Sequence, residues 1–107
     1  MIIIKHNYID GNITKIEIEG HANYDVFGKD IVCAAASTLL ITCVNCIEEL
    51  NANGFIYNDN KDKVSISIEG TNIEAFKILK VMIEMFKDLE QDYPKNISVS
   101  TYSFDNF

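Results

Sequence analysis

The segment from Ile31 to Ala52, IVCAAASTLLITCVNCIEELNA, constrains this chain more than any other. Nothing in it breaks a helix, and Asn53-Gly54 supplies a stop at its end. Up to Ile47 apolar side chains fall on nearly every side, and a polar face begins only at Glu48. A helix that is apolar all round needs cover all round. With 107 residues the chain has room for one domain, residues 1–107, and such a domain can lay a sheet against only one side of that helix. A second copy is therefore expected along helix 31–52, making a homodimer.

The remaining segments supply the sheet. Residues 2–8 (IIIKHNY) and 13–19 (ITKIEIE) are β-rich and flank Asp10-Gly11, a pair suited to the positive φ angles of a tight hairpin. In the second run Thr14, Ile16 and Ile18 alternate with Lys15, Glu17 and Glu19, so one face packs and the other meets water. His6, between Lys5 and Asn7, reads as a solvated or edge residue.

A second hairpin is expected from 55–58 and 63–69 across the polar connection Asn58 to Asp62, with Val64, Ile66 and Ile68 inward. Thr71 and Glu74 have capping-box spacing ahead of a one-sided amphipathic helix carrying Ile73, Phe76, Leu79, Met82, Ile83, Phe86 and Leu89. Asp92-Tyr93-Pro94 ends that helix, and Ile97, Val99 and Thr101 alternate as a last strand. The order β-β-α-β-β-α-β predicts an α+β sandwich, a mixed sheet of about five strands packed with two helices. The pattern leaves open whether the helices share one face of the sheet.

A net charge of −7 argues against a nucleic-acid surface, which needs clustered Lys and Arg, and is compatible with a basic partner. The N-terminus carries no charged-then-apolar signal pattern, and no apolar run reaches membrane-spanning length without polar interruption, so no membrane is expected and the location is cytoplasmic. Three cysteines in a reducing compartment do not read as a disulfide framework.

Chemistry concentrates in GHANYDVFGKDIVCAAAS, residues 20–37. His21 and Cys33 stand at opposite ends of a loop long enough to fold back and bring imidazole to thiol, the minimum for a cysteine nucleophile and its base. Asp30 is placed to cap the helix through the amides of Val32 or Cys33. The helix start favours thiolate by roughly 0.3–1 kcal/mol, too little alone, so protonated His21 is the second cation required. Amides at the helix start, that of Cys33 included, are expected to stabilise an oxyanion. Ser37, four residues on, shares a helix face with Cys33. Gly20 and Gly28 bracket the loop and allow it to move or to admit substrate backbone. Tyr24 and Phe27 either anchor the loop or offer an aromatic wall.

Taken singly, each residue has a plainer role: Cys33 as packing, His21 bonded to backbone, Asp30 only a cap, Ser37 bonding back to the preceding turn, Gly28 only a turn. Cys43 and Cys46 spell CxxC but fall mid-helix, about 220–280° around from Cys33 at ~100° per residue, with no further ligands for a metal; core packing is the better reading. No metal or other cofactor is expected.

The conjunction Gly20-His21-Ala22 with Gly28-x-Asp30-Ile31-Val32-Cys33-Ala34-Ala35-x-Ser37 resembles the ribosomal-processing cysteine protease family, Prp, with no departure in the motif. The resemblance extends to length and order of elements. It implies a small, acidic homodimer with a mobile loop over a Cys/His site. It also implies cleavage of an N-terminal extension from the large-subunit ribosomal protein numbered twenty-seven, a basic substrate, with aromatic residues before the cut. By that resemblance Cys33 is nucleophile, His21 base, and Asp30 and Ser37 supporting residues; Gly20, Ala22, Tyr24, Phe27 and Gly28 are the candidate loop and substrate-facing residues. A non-catalytic ribosome-assembly module and a thiol redox sensor are the rival expectations.

Overall fold

The structure, a computed structural model, describes residues 1–26 and 30–102. Seven elements follow one another: β1 (Ile2–His6), β2 (Lys15–Glu19), α1 (Ile31–Glu49), β3 (Phe55–Asp59), β4 (Lys63–Ile68), α2 (Ile73–Asp92) and β5 (Ile97–Thr101). The strands form one sheet in the order β3-β4-β2-β1-β5, antiparallel except for the parallel pair β1 and β5. This is the expected mixed α+β sheet of five strands with two helices. The β1–β2 connection turns where anticipated, with Asp10 at φ 52° and Gly11 at φ 80° closing an Ile9–Asn12 bridge. Asn7 secures its base by accepting hydrogen bonds from the amides of Thr14 and Lys15 and donating to Thr14 Oγ1.

The register decides which sheet face is covered. Ile4 stands opposite Ile18 and Val99, and Ile16 opposite His6 and Ile66, so all these side chains project from one face. That face joins Val32, Ala36, Leu40 and Ile47 of α1 and Phe76, Leu79, Ile83 and Phe86 of α2 in a single hydrophobic core. Both helices thus lie on one side. The other face carries Lys5, Glu17, Glu19, Lys63, Ser65 and Ser67, where Lys63 pairs with Glu17 at 3.1 Å.

Four details depart from the sequence expectation. Helix α1 ends at Glu49 rather than near residue 52, because Leu50 caps it and Asn51 turns to φ 50°. It is not buried all round: Val32, Ala36, Leu40, Cys43, Val44 and Ile47 make one inward stripe, while Ile31, Ala35, Thr38, Ile41 and Cys46 are exposed. With 19 residues and a mean hydropathy of 1.8 it also meets the length and composition of a membrane crossing, contrary to expectation, yet its inward stripe packs in the common core. The cap of α2 is Asn72, whose side chain accepts from the Ala75 amide, rather than a Thr71 box.

His6 departs as well. Because β1 lies between β2 and β5, His6 continues the inward series Ile2 and Ile4 and is 1 % exposed, not solvated. Its ring meets Tyr8 edge-on at 5.2 Å, and its Nδ1 is buried without a hydrogen-bond partner among the described residues. Burial, helped by the positive charge of Lys87, lowers its pKa, against a smaller opposing contribution from the Asn7 backbone. The unfolded chain therefore takes up a proton at His6 at higher pH than the folded one, and stability is lost as pH falls below about 6.5. The melting temperature is expected to drop between pH 7 and pH 5, and His6→Phe to flatten that part of the curve in thermal denaturation.

Candidate functional site

Asp30 organises the start of α1. Held at φ −78° and ψ 99°, it is the N-cap: its Oδ1 accepts hydrogen bonds from Val32 N–H at 3.0 Å and Cys33 N–H at 2.9 Å. Its Oδ2 faces the other way and accepts from Tyr24 N–H at 3.0 Å and Asp25 N–H at 3.5 Å. One carboxylate so ties the helix start to the preceding loop. The Cys33 amide bond is the main cause holding the Asp30 carboxyl below its usual range, against a smaller desolvation effect, and the Tyr24 and Asp25 amides add lesser contributions in the same direction as Cys33. The tie is present at neutral pH and is lost only as pH falls through that lowered value.

The loop returns to the helix at Ala22. Its N–H donates to Cys33 Sγ at 3.4 Å, and its carbonyl accepts from Asn96 Nδ2 at 2.9 Å, across 74 residues of sequence. The Ala22 methyl is 1 % exposed, so this residue, expected to face substrate, turns its side chain into the core and only its amide toward the sulfur. Gly20, at φ 90°, passes so close to the Met1 carbonyl that any Cβ there would collide with it. Tyr24 meets Tyr93 edge-on at 5.2 Å, which makes it an anchor of the loop. Phe27 and Gly28 lie outside the described residues.

A cleft of about 760 Å³ opens here between the first half of α1 and the β3–β4 hairpin. His21, Cys33 and Ser37 all line it, with apolar walls from Ile18, Ile41, Tyr57 and Val64 and carboxylates from Glu19, Asp25, Asp59 and Asp62. The structure thus gathers the four catalytic and supporting residues around one space, with Asp30 at its edge. The direct link between loop and sulfur is the Ala22 amide, next in sequence to His21.

The helix-start amides expected to stabilise an oxyanion already have partners in this structure. Those of Val32 and Cys33 are engaged by Asp30 Oδ1, and that of Ala34 by the Asp30 carbonyl at 3.1 Å. Cys43 is buried, and burial, reinforced by Cys46, pushes its thiol up to about 11. Cys46 is exposed, so only half of that pair packs in the core. Among the described residues no group of three or more His, Cys, Asp or Glu is placed to hold a metal ion. Asn96 escaped sequence reading altogether, since nothing local to a polar residue before a strand announces a partner so distant.

A half-buried thiol at a helix start and an imidazole line one cleft of this α+β fold, and the chain matches a family of cysteine proteases. More narrowly, the chain belongs to the family described as cysteine protease Prp, whose family model matches residues 1–98. The ribosomal processing cysteine protease Prp of Staphylococcus aureus is 35% identical over 94 residues, covering 85% of this chain and 89% of that protein. The crystal structure of an essential ribosomal processing protease Prp from S. aureus with a covalently linked product peptide superposes at a TM-score of 0.87, with 34% identity, covering 95% of this chain and all of that one (100%). The same protease with a substrate peptide gives 0.82 at 32% identity, with coverage of 95% and 100%.

The two oxygens of Asp30 can be separated by substitution. Asp30→Asn keeps an acceptor for the helix amides but presents an NH₂ group to the loop, whereas Asp30→Ala removes both acceptors. Hydrogen exchange is expected to quicken at Tyr24 and Asp25 in both variants and at Val32 and Cys33 in the alanine variant alone, which melts at the lower temperature.

Proposed function

We propose that this chain is a cysteine endopeptidase that removes the N-terminal extension of a large-subunit ribosomal protein, number twenty-seven, in the cytoplasm, acting as a homodimer. The observation that carries the reading is the shared cleft: His21, Cys33 and Ser37 line one space beside a loop whose Ala22 amide already reaches the sulfur. The ribosomal processing role of the relatives and their peptide complexes support an oligopeptide as occupant. Carboxylates at Glu19, Asp25, Asp30, Asp59 and Asp62 outnumber the lysines Lys61 and Lys63 around the cleft, which in a chain of net charge −7 suits a basic substrate.

In this reading His21 takes the thiol proton and Cys33 sulfur attacks the scissile carbonyl carbon. The oxyanion formed collapses, the amine leaves with the proton from His21, and water releases the acyl group from sulfur. Asp30 keeps the helix start and loop together, and Ser37 borders the cleft one turn along.

The exposed side of α1 supports the dimer. Ile31 is 55% and Ile41 47% exposed, and covering the remainder of each is worth roughly 1 kcal/mol, half the value of a full burial. Sedimentation is expected to give a dimer, with Ala35→Glu, in the middle of that side, shifting it toward monomer.

Incubation with a peptide spanning the extension is expected to give one cut. Cys33→Ser should reduce cleavage to background and His21→Ala by roughly 10²–10⁴-fold. Peptide binding that is undiminished in a wild-type chain with no cleavage would show a binding module instead. A stable mixed disulfide at Cys33 after mild peroxide, again without hydrolysis, would show a redox sensor.

A further inference from the structure

We propose that the main-chain N–H of Ala22 is the oxyanion donor of this site, and that Asn96 is the positioning residue that aims it. The inference rests on the protease reading and says which group stabilises the charge. Acyl transfer at a thiol needs a donor beside the carbonyl oxygen as it becomes negative. The amides of Val32, Cys33 and Ala34, the obvious source at a helix start, are all held by Asp30. Recruiting the Cys33 amide would break a charge-assisted bond at 2.9 Å that also caps the helix.

Ala22 offers its amide from the loop side, 3.4 Å from Sγ. When sulfur bonds to the scissile carbon, the C=O π pair moves onto oxygen. That oxygen sits on the atom next to sulfur, so a donor that now points at Sγ has only to shift its bond from sulfur to the neighbouring oxygen. As the intermediate collapses, the carbonyl re-forms, the C–N bond breaks and the amine leaves with the proton held by His21. The N–H of Ala22 gives up no proton at any step; its contribution is a fixed dipole.

The dipole is fixed because Ala22 is held twice more. Its methyl is sealed in the core, and its carbonyl takes the Asn96 side-chain N–H at 2.9 Å. Asn96 is itself held on both sides, its carbonyl accepting from Ile2 N–H at 2.8 Å and its amide donating to the Tyr93 carbonyl at 2.9 Å. Core, β1 and the approach to β5 thus converge on one residue, whose N–H and carbonyl belong to the two peptide units on either side of its Cα. A donor so constrained needs no reorganisation as charge develops, which is what gives such donors their effect.

The test uses the full chain with Ala22 replaced by its α-hydroxy analogue, lactic acid, which exchanges that N–H for an ester oxygen and keeps the methyl and the Ala22 carbonyl, beside Asn96→Ala and Asn96→Asp. For the lactate chain kcat on the extension peptide should fall about 10²-fold with KM within about twofold. Affinity for a peptide aldehyde, whose thiol adduct carries an oxyanion, should fall in parallel. The limiting rate of Cys33 alkylation by iodoacetamide at alkaline pH, a displacement with no oxyanion, should not change. Both Asn96 variants should show the same split, about tenfold or more in kcat. Wild-type kcat in the lactate chain overturns the proposal, and so does an equal loss of alkylation and turnover, which would make the bond a mere support for the sulfur. A wild-type chain that neither cleaves the peptide nor captures the aldehyde refutes the protease reading itself and this role with it.

Discussion

Everything around the cleft depends on one carboxylate that cannot be satisfied from one side. Asp30 has two oxygens; the helix takes one and the loop the other. A neutral cap would serve α1 as well, but it would leave the Tyr24 and Asp25 amides to water. The same carboxylate therefore sets both sides of the site: its Oδ1 holds the Cys33 amide on the helix, while from the loop it is the Ala22 amide that reaches the sulfur.

The sheet makes that arrangement possible by being covered on one side only. With α1 and α2 sharing a face, the α1 N-terminus emerges beside the ends of β2 and the β3–β4 hairpin, and the cleft is the space left between them. The same layering leaves the outer side of α1 bare, with Ile31, Ala35, Thr38 and Cys46 exposed in a helix otherwise rich in apolar side chains. The helix is therefore amphipathic in structure without being amphipathic in sequence.

Much of this could be read from the sequence wherever the determining signal was local. Asp10-Gly11 carries its own φ requirement, the alternation of Ile16 and Ile18 with charged residues carries its own face, and Asp30 stands two and three residues from the amides it caps. Signals that depend on position within the sheet were not readable. His6 looked solvated between Lys5 and Asn7 because β1 is revealed as an interior strand only once β5 pairs with it. Thr71 yielded to Asn72 because two adjacent capping residues compete and the choice depends on how α2 docks. The engagement of the Cys33 amide followed from a motif correctly read but not followed through: a cap that accepts a bond also uses up the donor. Asn96 lay beyond any pattern, its partner 74 residues away.

That long contact has a temporal side. A polypeptide emerging from the ribosome with its amino end first presents the imidazole loop and the thiol helix long before residue 96 exists, and β1 meanwhile has one open edge. An unfinished chain therefore holds both ends of the loop without the Asn96 brace. Because Asn96 directly precedes β5, its hold on the Ala22 carbonyl forms together with the closing of the sheet by its final strand.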